Sequence, residues 1–162
     1  LSSASYGSRP DLLPRFMVRS TVNPAGSDRP IGWGSANDAI TLLSEAESNE
    51  IESATVRKFP RSSRGEIVWE EVNAALILER GQVDRESLTA AIASHANVSG
   101  RLVIFWDSRV VPTVSIDKAL AIGHLAEILD SFPEFKVLAV EDATLFECTF
   151  DDELTVCRII GS

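Results

Sequence analysis

The chain has 162 residues, 44% of them apolar, with 15 Lys and Arg against 24 Asp and Glu and a formal net charge of −9. That length supports one hydrophobic core without staples, and the longest apolar runs, 74–78 and 102–106, fall far short of the ~20 residues of a membrane span. Residues 1–65 hold 8 Lys and Arg and 7 Asp and Glu, whereas 66–162 hold 7 and 17. The later part therefore carries a field that repels nucleic-acid phosphates and anionic lipid heads and attracts a basic protein.

Residues 1–8 lack the basic and apolar regions of a secretory signal. Residues 1–34 are dense in turn formers: Arg9-Pro10, Leu13-Pro14, Asn23-Pro24, Arg29-Pro30 and Gly32-Trp33-Gly34. They read as an N-terminal arm, with an edge strand at 16–22, ahead of a single domain at 35–162. Trp33 suits either a core cap or an exposed anchor. Ser35 followed by Asp38 predicts a helix start, and Ala36, Ala39, Ile40, Leu43 and Ala46 extend it as one apolar stripe. Residues 54–60 read as a short strand ended by Pro60.

The stretch 66–80 is ambiguous. Val68, Val72, Ala75 and Leu76 follow helical spacing and Gly81 sits where a helix ends, whereas Ile67-Val68-Trp69 favours a strand. The helical reading is taken. Asp84 opens a second helix over 85–96, with Leu88, Ala91, Ile92 and His95 on its apolar stripe. The continuous apolar run 101–106 predicts a central strand, and 110–116 an edge or bulged strand because Pro112 cannot donate to a ladder. Asp117 caps a helix over 118–131. Three strands, 136–140, 144–150 and 154–160, then form a meander with acidic turns. The sum is an α+β fold with a mostly antiparallel sheet of five or six strands and about four helices, ending in a β-β-α-β-β-β segment.

Two cysteines, Cys148 and Cys157, are too few for a disulfide framework. A hairpin centred between Asp152 and Glu153 sets them opposite each other, within reach of a bond; two buried thiols are the default. No phosphate-binding loop, dinucleotide fingerprint, His-Glu-x-x-His helix or Gly-x-Ser-x-Gly elbow occurs. No catalytic residue, metal ligand or cofactor is therefore assigned. His95 reads as a core-boundary histidine and His124 as a surface one. Glu147, with Cys148 and Phe146 as neighbours, is the one acid to examine for paired-acid chemistry, although an outward-facing strand residue is the default.

The acidic turns carry the stronger signal. Glu141-Asp142 and Asp151-Asp152-Glu153 belong to opposite ends of the meander, Asp107 to a third turn, and Glu70 and Glu71 follow Trp69 as Asp107 follows Trp106. Trp69, Glu70, Glu71, Trp106, Asp107, Glu141, Asp142, Asp151, Asp152 and Glu153 are thus the candidate docking residues for a basic protein, the acids steering association and the tryptophans anchoring it. Either tryptophan also suits the core.

From Gly100 onward the chain runs Gly-Arg-Leu-Val-Ile-Phe-Trp-Asp, Val-Val-Pro-Thr-Val-Ser-Ile, an Ala/Leu helix and Glu-Cys-Thr-Phe-Asp-Asp-Glu-Leu-Thr-Val-Cys-Arg-Ile, to Ile160. In layout this resembles the small acidic immunity proteins that bacteria make against their own polymorphic or contact-dependent toxins. The resemblance implies a cytoplasmic, non-enzymatic inhibitor that binds a cognate toxin domain, often a nuclease or deaminase, and it carries over no functional residue. Two other classes stay open. One is an enzyme or small-ligand domain with a pocket holding a desolvated carboxylate or histidine. The other is a winged-helix-like regulator built from helices at 66–80 and 85–96, although its candidate recognition helix has a single basic residue, Arg85.

Overall fold

The computed structural model describes residues 6–21, 39–63, 67–106, 108–131 and 134–159. The Ser35 cap, Trp33 and Asp107 lie outside them. Seven strands form one antiparallel sheet in the order β1-β4-β3-β5-β6-β7-β2: β1 (Ile40–Leu42), β2 (Ile77–Gln82), β3 (Arg101–Trp106), β4 (Val114–Asp117), β5 (Phe135–Ala139), β6 (Thr144–Cys148) and β7 (Glu153–Arg158). The described helices are α1 (Arg15–Thr21), α2 (Glu45–Ala54), α3 (Arg85–His95), α4 (Lys118–Gly123) and α5 (Leu125–Ser131). The α+β class holds, with seven strands where five or six were expected.

Each face of the sheet carries its own apolar cluster. On the first face, Ile104, Phe135, Phe146 and Val156 pack with Leu88 and Ile92 of α3, Ile128 of α5, and Phe16 and Met17 of α1. On the second, Val103, Phe105, Leu138, Leu145 and Cys157 pack under Leu43, just before α2, and Val56, Phe59, Trp69 and Val72 from the irregular segment after it. Sequence alternation along β5–β7 supplies both clusters, because successive side chains point to opposite faces.

Several local expectations are corrected. The edge strand expected over 16–22 is, in its described part, a helix: α1 runs through Arg15–Thr21 and sends Phe16 and Met17 into the first cluster. The helix expected through Ile40 and Leu43 is a strand, β1, and the helix begins later. Ser44 caps α2 in a reciprocal box with Glu47, each side chain bonded to the other's backbone amide, a local signal that outranks the apolar spacing upstream. Residues 54–60 are not a strand. They end α2 and continue as a 3-10 turn, Val56–Lys58.

The helix expected over 66–80 is absent from its described part, 67–80. This stretch holds an isolated bridge, Arg61 to Ile67, two 3-10 turns (Trp69–Glu71 and Ala74–Leu76) and the start of β2. The β-branched Ile67 and Val68 favoured extended backbone, and β7 offered an unpaired edge that β2 took. The two-helix basis of a winged-helix reading is therefore gone, because α3 has no such neighbour there. The predicted 110–116 strand is confined to Val114–Asp117, past Pro112. The predicted 118–131 helix is two helices that meet at His124, whose φ of −124° and ψ of 21° leave the helical region.

The β6–β7 turn decides the fate of the cysteines. Thr149 N donates to Glu153 O at 3.1 Å and Asp152 sits at a positive φ of 59°, so the loop has three residues and centres on Asp151. Cys148 therefore faces Leu154, and Cys157 faces Leu145. An odd loop reverses the parity expected for a turn centred between Asp152 and Glu153, which puts the two thiols on opposite faces of the sheet. Both are buried and free, and burial raises each thiol pKa to about 12.

Candidate functional site

One row of the second face is polar. Strand register sets Lys136 (β5) between Phe105 (β3) and Glu147 (β6), Glu147 opposite Thr155 (β7), and Thr155 opposite Arg80 (β2). Lys136, Glu147 and Thr155 are all buried. Lys136 Nζ lies 3.7 Å from Glu147 Oε2, and the Trp69 indole N–H donates to Glu147 Oε1 at 2.6 Å. A buried charge persists only when paired and hydrogen-bonded, and Glu147 has both an ammonium and an indole partner. The default reading of Glu147 as an outward strand residue is overturned.

This row floors a groove of about 480 Å³. The Trp69–Glu71 turn supplies Trp69 and Glu70, the β6–β7 turn supplies Phe150 and Asp151, the start of β7 supplies Glu153, and Glu134 and Arg80 add to the lining. Because Lys136 and Glu147 offset each other in the floor, the rim keeps four carboxylates (Glu70, Glu134, Asp151 and Glu153) against one arginine, Arg80. Phe150 stands beside them 64% exposed, an apolar side chain that the fold leaves in water.

The structure thus brings together Trp69, Glu70, Asp151 and Glu153 from the expected docking set. Trp69 is part of the wall and interior, tilted against Phe59 at 6.0 Å between ring centroids, and is no surface anchor. Glu71 is exposed on the same turn outside the groove lining. Asp152 lines a neighbouring recess with Arg80, Gly81 and Gln82, and its carbonyl accepts Val83 N at 2.7 Å. Trp106 is buried at the end of β3. Glu141 and Asp142 sit at the opposite end of the meander.

Asp142 has a structural task there. Its two carboxylate oxygens accept the amides of Val98 and Ser99 at 3.1 and 2.9 Å, tying the α3–β3 loop to the β5–β6 turn. Burial pushes its pKa up, but the Ser99 and Val98 hydrogen bonds and nearby Lys118 hold it below the usual value. The sequence missed Phe150 as the exposed apolar group; its place between Thr149 and Asp151-Asp152, inside an acidic turn, was the available signal.

His95 sits half-buried against Glu79, Nε2 to Oε1 3.2 Å. His124 is stacked on Phe16 with centroids 4.1 Å apart, more enclosed than a surface histidine. Among the described residues no group of three His, Cys, Asp or Glu is arranged to hold a metal ion, and no helix is long and apolar enough to cross a membrane. The chain matches no family model and none of the curated proteins.

Proposed function

We propose that this protein binds a basic protein in the groove between the Trp69–Glu71 and β6–β7 turns, and that it acts as an immunity protein neutralising a cognate toxin domain. The observation that carries the reading is convergence. Acids more than 80 positions apart in the chain, Glu70 with Asp151 and Glu153, meet around one concavity beside exposed Phe150. Charge at the rim steers a lysine- or arginine-rich partner into contact, and the phenyl ring supplies the apolar contact at which affinity concentrates. The layout shared with immunity proteins supports the same reading. A nuclease or deaminase surface shaped for phosphates is the matching basic partner.

The test uses the product of the gene adjacent to that of this protein, measured by calorimetry at low and high salt. The expected result is a complex that weakens as salt rises. Charge reversal of the rim (Glu70→Lys, Asp151→Lys and Glu153→Lys together) should weaken it by roughly a hundredfold, while Glu141→Lys at the far end leaves it unchanged. A complex equally tight with the reversed rim overturns the reading, as does the absence of any complex with a basic protein.

A further inference from the structure

The sheet ends at β2, and no described strand pairs with its outer side. Its last residues, Arg80, Gly81 and Gln82, are exposed. We propose that the basic partner lays an extended segment along this edge as an eighth strand. The inference rests on the docking reading and names how the partner is held.

The backbone of β2 is divided between its two sides. Val83 N donates to Asp152 O at 2.7 Å, and register places Gly81 opposite Leu154 and Glu79 opposite Val156. Backbone groups of an antiparallel strand point alternately toward and away from the neighbour. Val83, Gly81 and Glu79 therefore turn theirs to β7, and Arg80 and Gln82 turn theirs outward. β7 has the matching phase: Thr149 N donates to Glu153 O, so Glu153 and Thr155 face β6 while Leu154 and Val156 face β2. Ser87 Oγ donates to the Gln82 carbonyl at 2.8 Å. The Arg80 N–H and C=O and the Gln82 N–H are left without a partner among the described residues. Such a row is a template for another chain.

Gly81 suits a close neighbour. Its φ is not positive, and a Cβ placed on it meets nothing within 4 Å. Neither a turn nor internal packing requires glycine there, and a glycine inside a strand often marks the approach of another backbone. Charge selects the occupant. The recess beside this edge is lined by Asp151, Asp152 and Glu153 against Arg80, a formal surplus of −2, and none of the three carboxylates is ion-paired among the described residues. Gln82 faces Glu153 across the ladder, so both side chains lie on the face of the acidic groove, which Arg80 also lines. A lysine or arginine of the added strand on that face starts two strand spacings, about 10 Å, from the Glu153 backbone, a gap that the two side chains span together. A second copy fits poorly: each chain carries −9, and edge-to-edge pairing sets two such acid clusters side by side.

The test uses isotope-labelled protein at low salt and the peptide acetyl-Lys-Val-Lys-Val-Lys-Val-Lys-amide, beside its glutamate counterpart and a form methylated on every backbone nitrogen. The lysine peptide should saturate with a Kd below about 1 mM. The methylated form should bind at least roughly tenfold more weakly, and the glutamate one not at all. At saturation the Arg80 and Gln82 amide protons should exchange roughly tenfold more slowly or better, while those of Glu79 and Gly81, already bonded to β7, keep their rates. Gln82→Pro removes an outward N–H and no ladder bond, so it should weaken the lysine peptide roughly tenfold, and Glu141→Lys at the far end of the meander should not. Should Gln82→Pro disturb the fold, the methylated peptide and the exchange rates of the wild type decide. Three results overturn the strand pairing. One is equal binding of both lysine peptides with Arg80 and Gln82 exchanging as before; weaker binding of both to the protein carrying Glu70→Lys, Asp151→Lys and Glu153→Lys then leaves the docking reading standing. Another is no saturation by about 10 mM, after which the calorimetric complex alone decides the docking reading. The third is a dimer of the protein alone that protects the same two amides, which gives the edge to a second copy.

Discussion

Glu147 and Lys136 are buried on the second face, and each satisfies the other. Removing one partner leaves an uncompensated charge in the interior, which typically costs about 3–5 kcal/mol. Glu147→Leu and Lys136→Met should therefore each destabilise the protein by about that much in urea unfolding. The double variant should lose less than the sum of the two; additive losses would show that the pair does not interact. Trp69 gains its fixed position from the same carboxylate, so the groove wall depends on it. In the sequence Glu147 stood out as an acid among apolar neighbours, and Lys136 did not, lying between Phe135 and Val137 at a strand start. Their pairing was not legible, since it exists only once β5 and β6 are in register.

Helix starts were read well where the cap and its partner are neighbours in sequence. Asp84 caps α3 and Asp117 caps α4, as expected. Ser44 and Glu47 carried the same kind of signal, masked by an apolar stripe upstream that belongs to β1. Ser44→Ala should cost about 1 kcal/mol, read as a fall in Tm of roughly 2–4 °C. An unchanged Tm would mean that α2 is held by packing alone. The stretch 66–80 shows the limit of periodicity. Val72, Ala75 and Leu76 sit at helical spacing by coincidence, and β2 is an edge strand paired on one side by β7, with a bulge between Ile77 and Glu79 that blurs its alternation.

Asp142 links parts of the molecule 43 and 44 positions apart, and its depressed pKa makes that link acid-sensitive. A carboxyl whose folded pKa lies below its unfolded value, about 3.9 for aspartate, adds stability above the unfolded value. That stability is lost as pH falls through the folded value. Asp142→Asn should lower stability near neutrality by on the order of 1 kcal/mol, and the difference from wild type should shrink as pH drops below about 4. A difference that is constant with pH would refute the assignment. The acids thus divide by task across the fold: Asp142 ties loops, Glu147 neutralises a buried lysine, and Glu70, Asp151 and Glu153 are left to charge the rim of the groove.

Charge asymmetry, the α+β class, the helix caps at Asp84 and Asp117, and the strand runs at 101–106 and in the meander follow from composition and from signals spanning a few residues, which fold independently of distant partners. Chain folding in space settled the rest. A three-residue turn rather than an even one sent Cys148 and Cys157 to opposite faces, and an available edge on β7 made a strand of Ile77–Gln82. Cross-strand register buried Lys136 against Glu147 and gathered distant acids around Phe150. Those outcomes depend on loop parity and on which edges remain unpaired, and both are properties of contacts between segments that no local window contains.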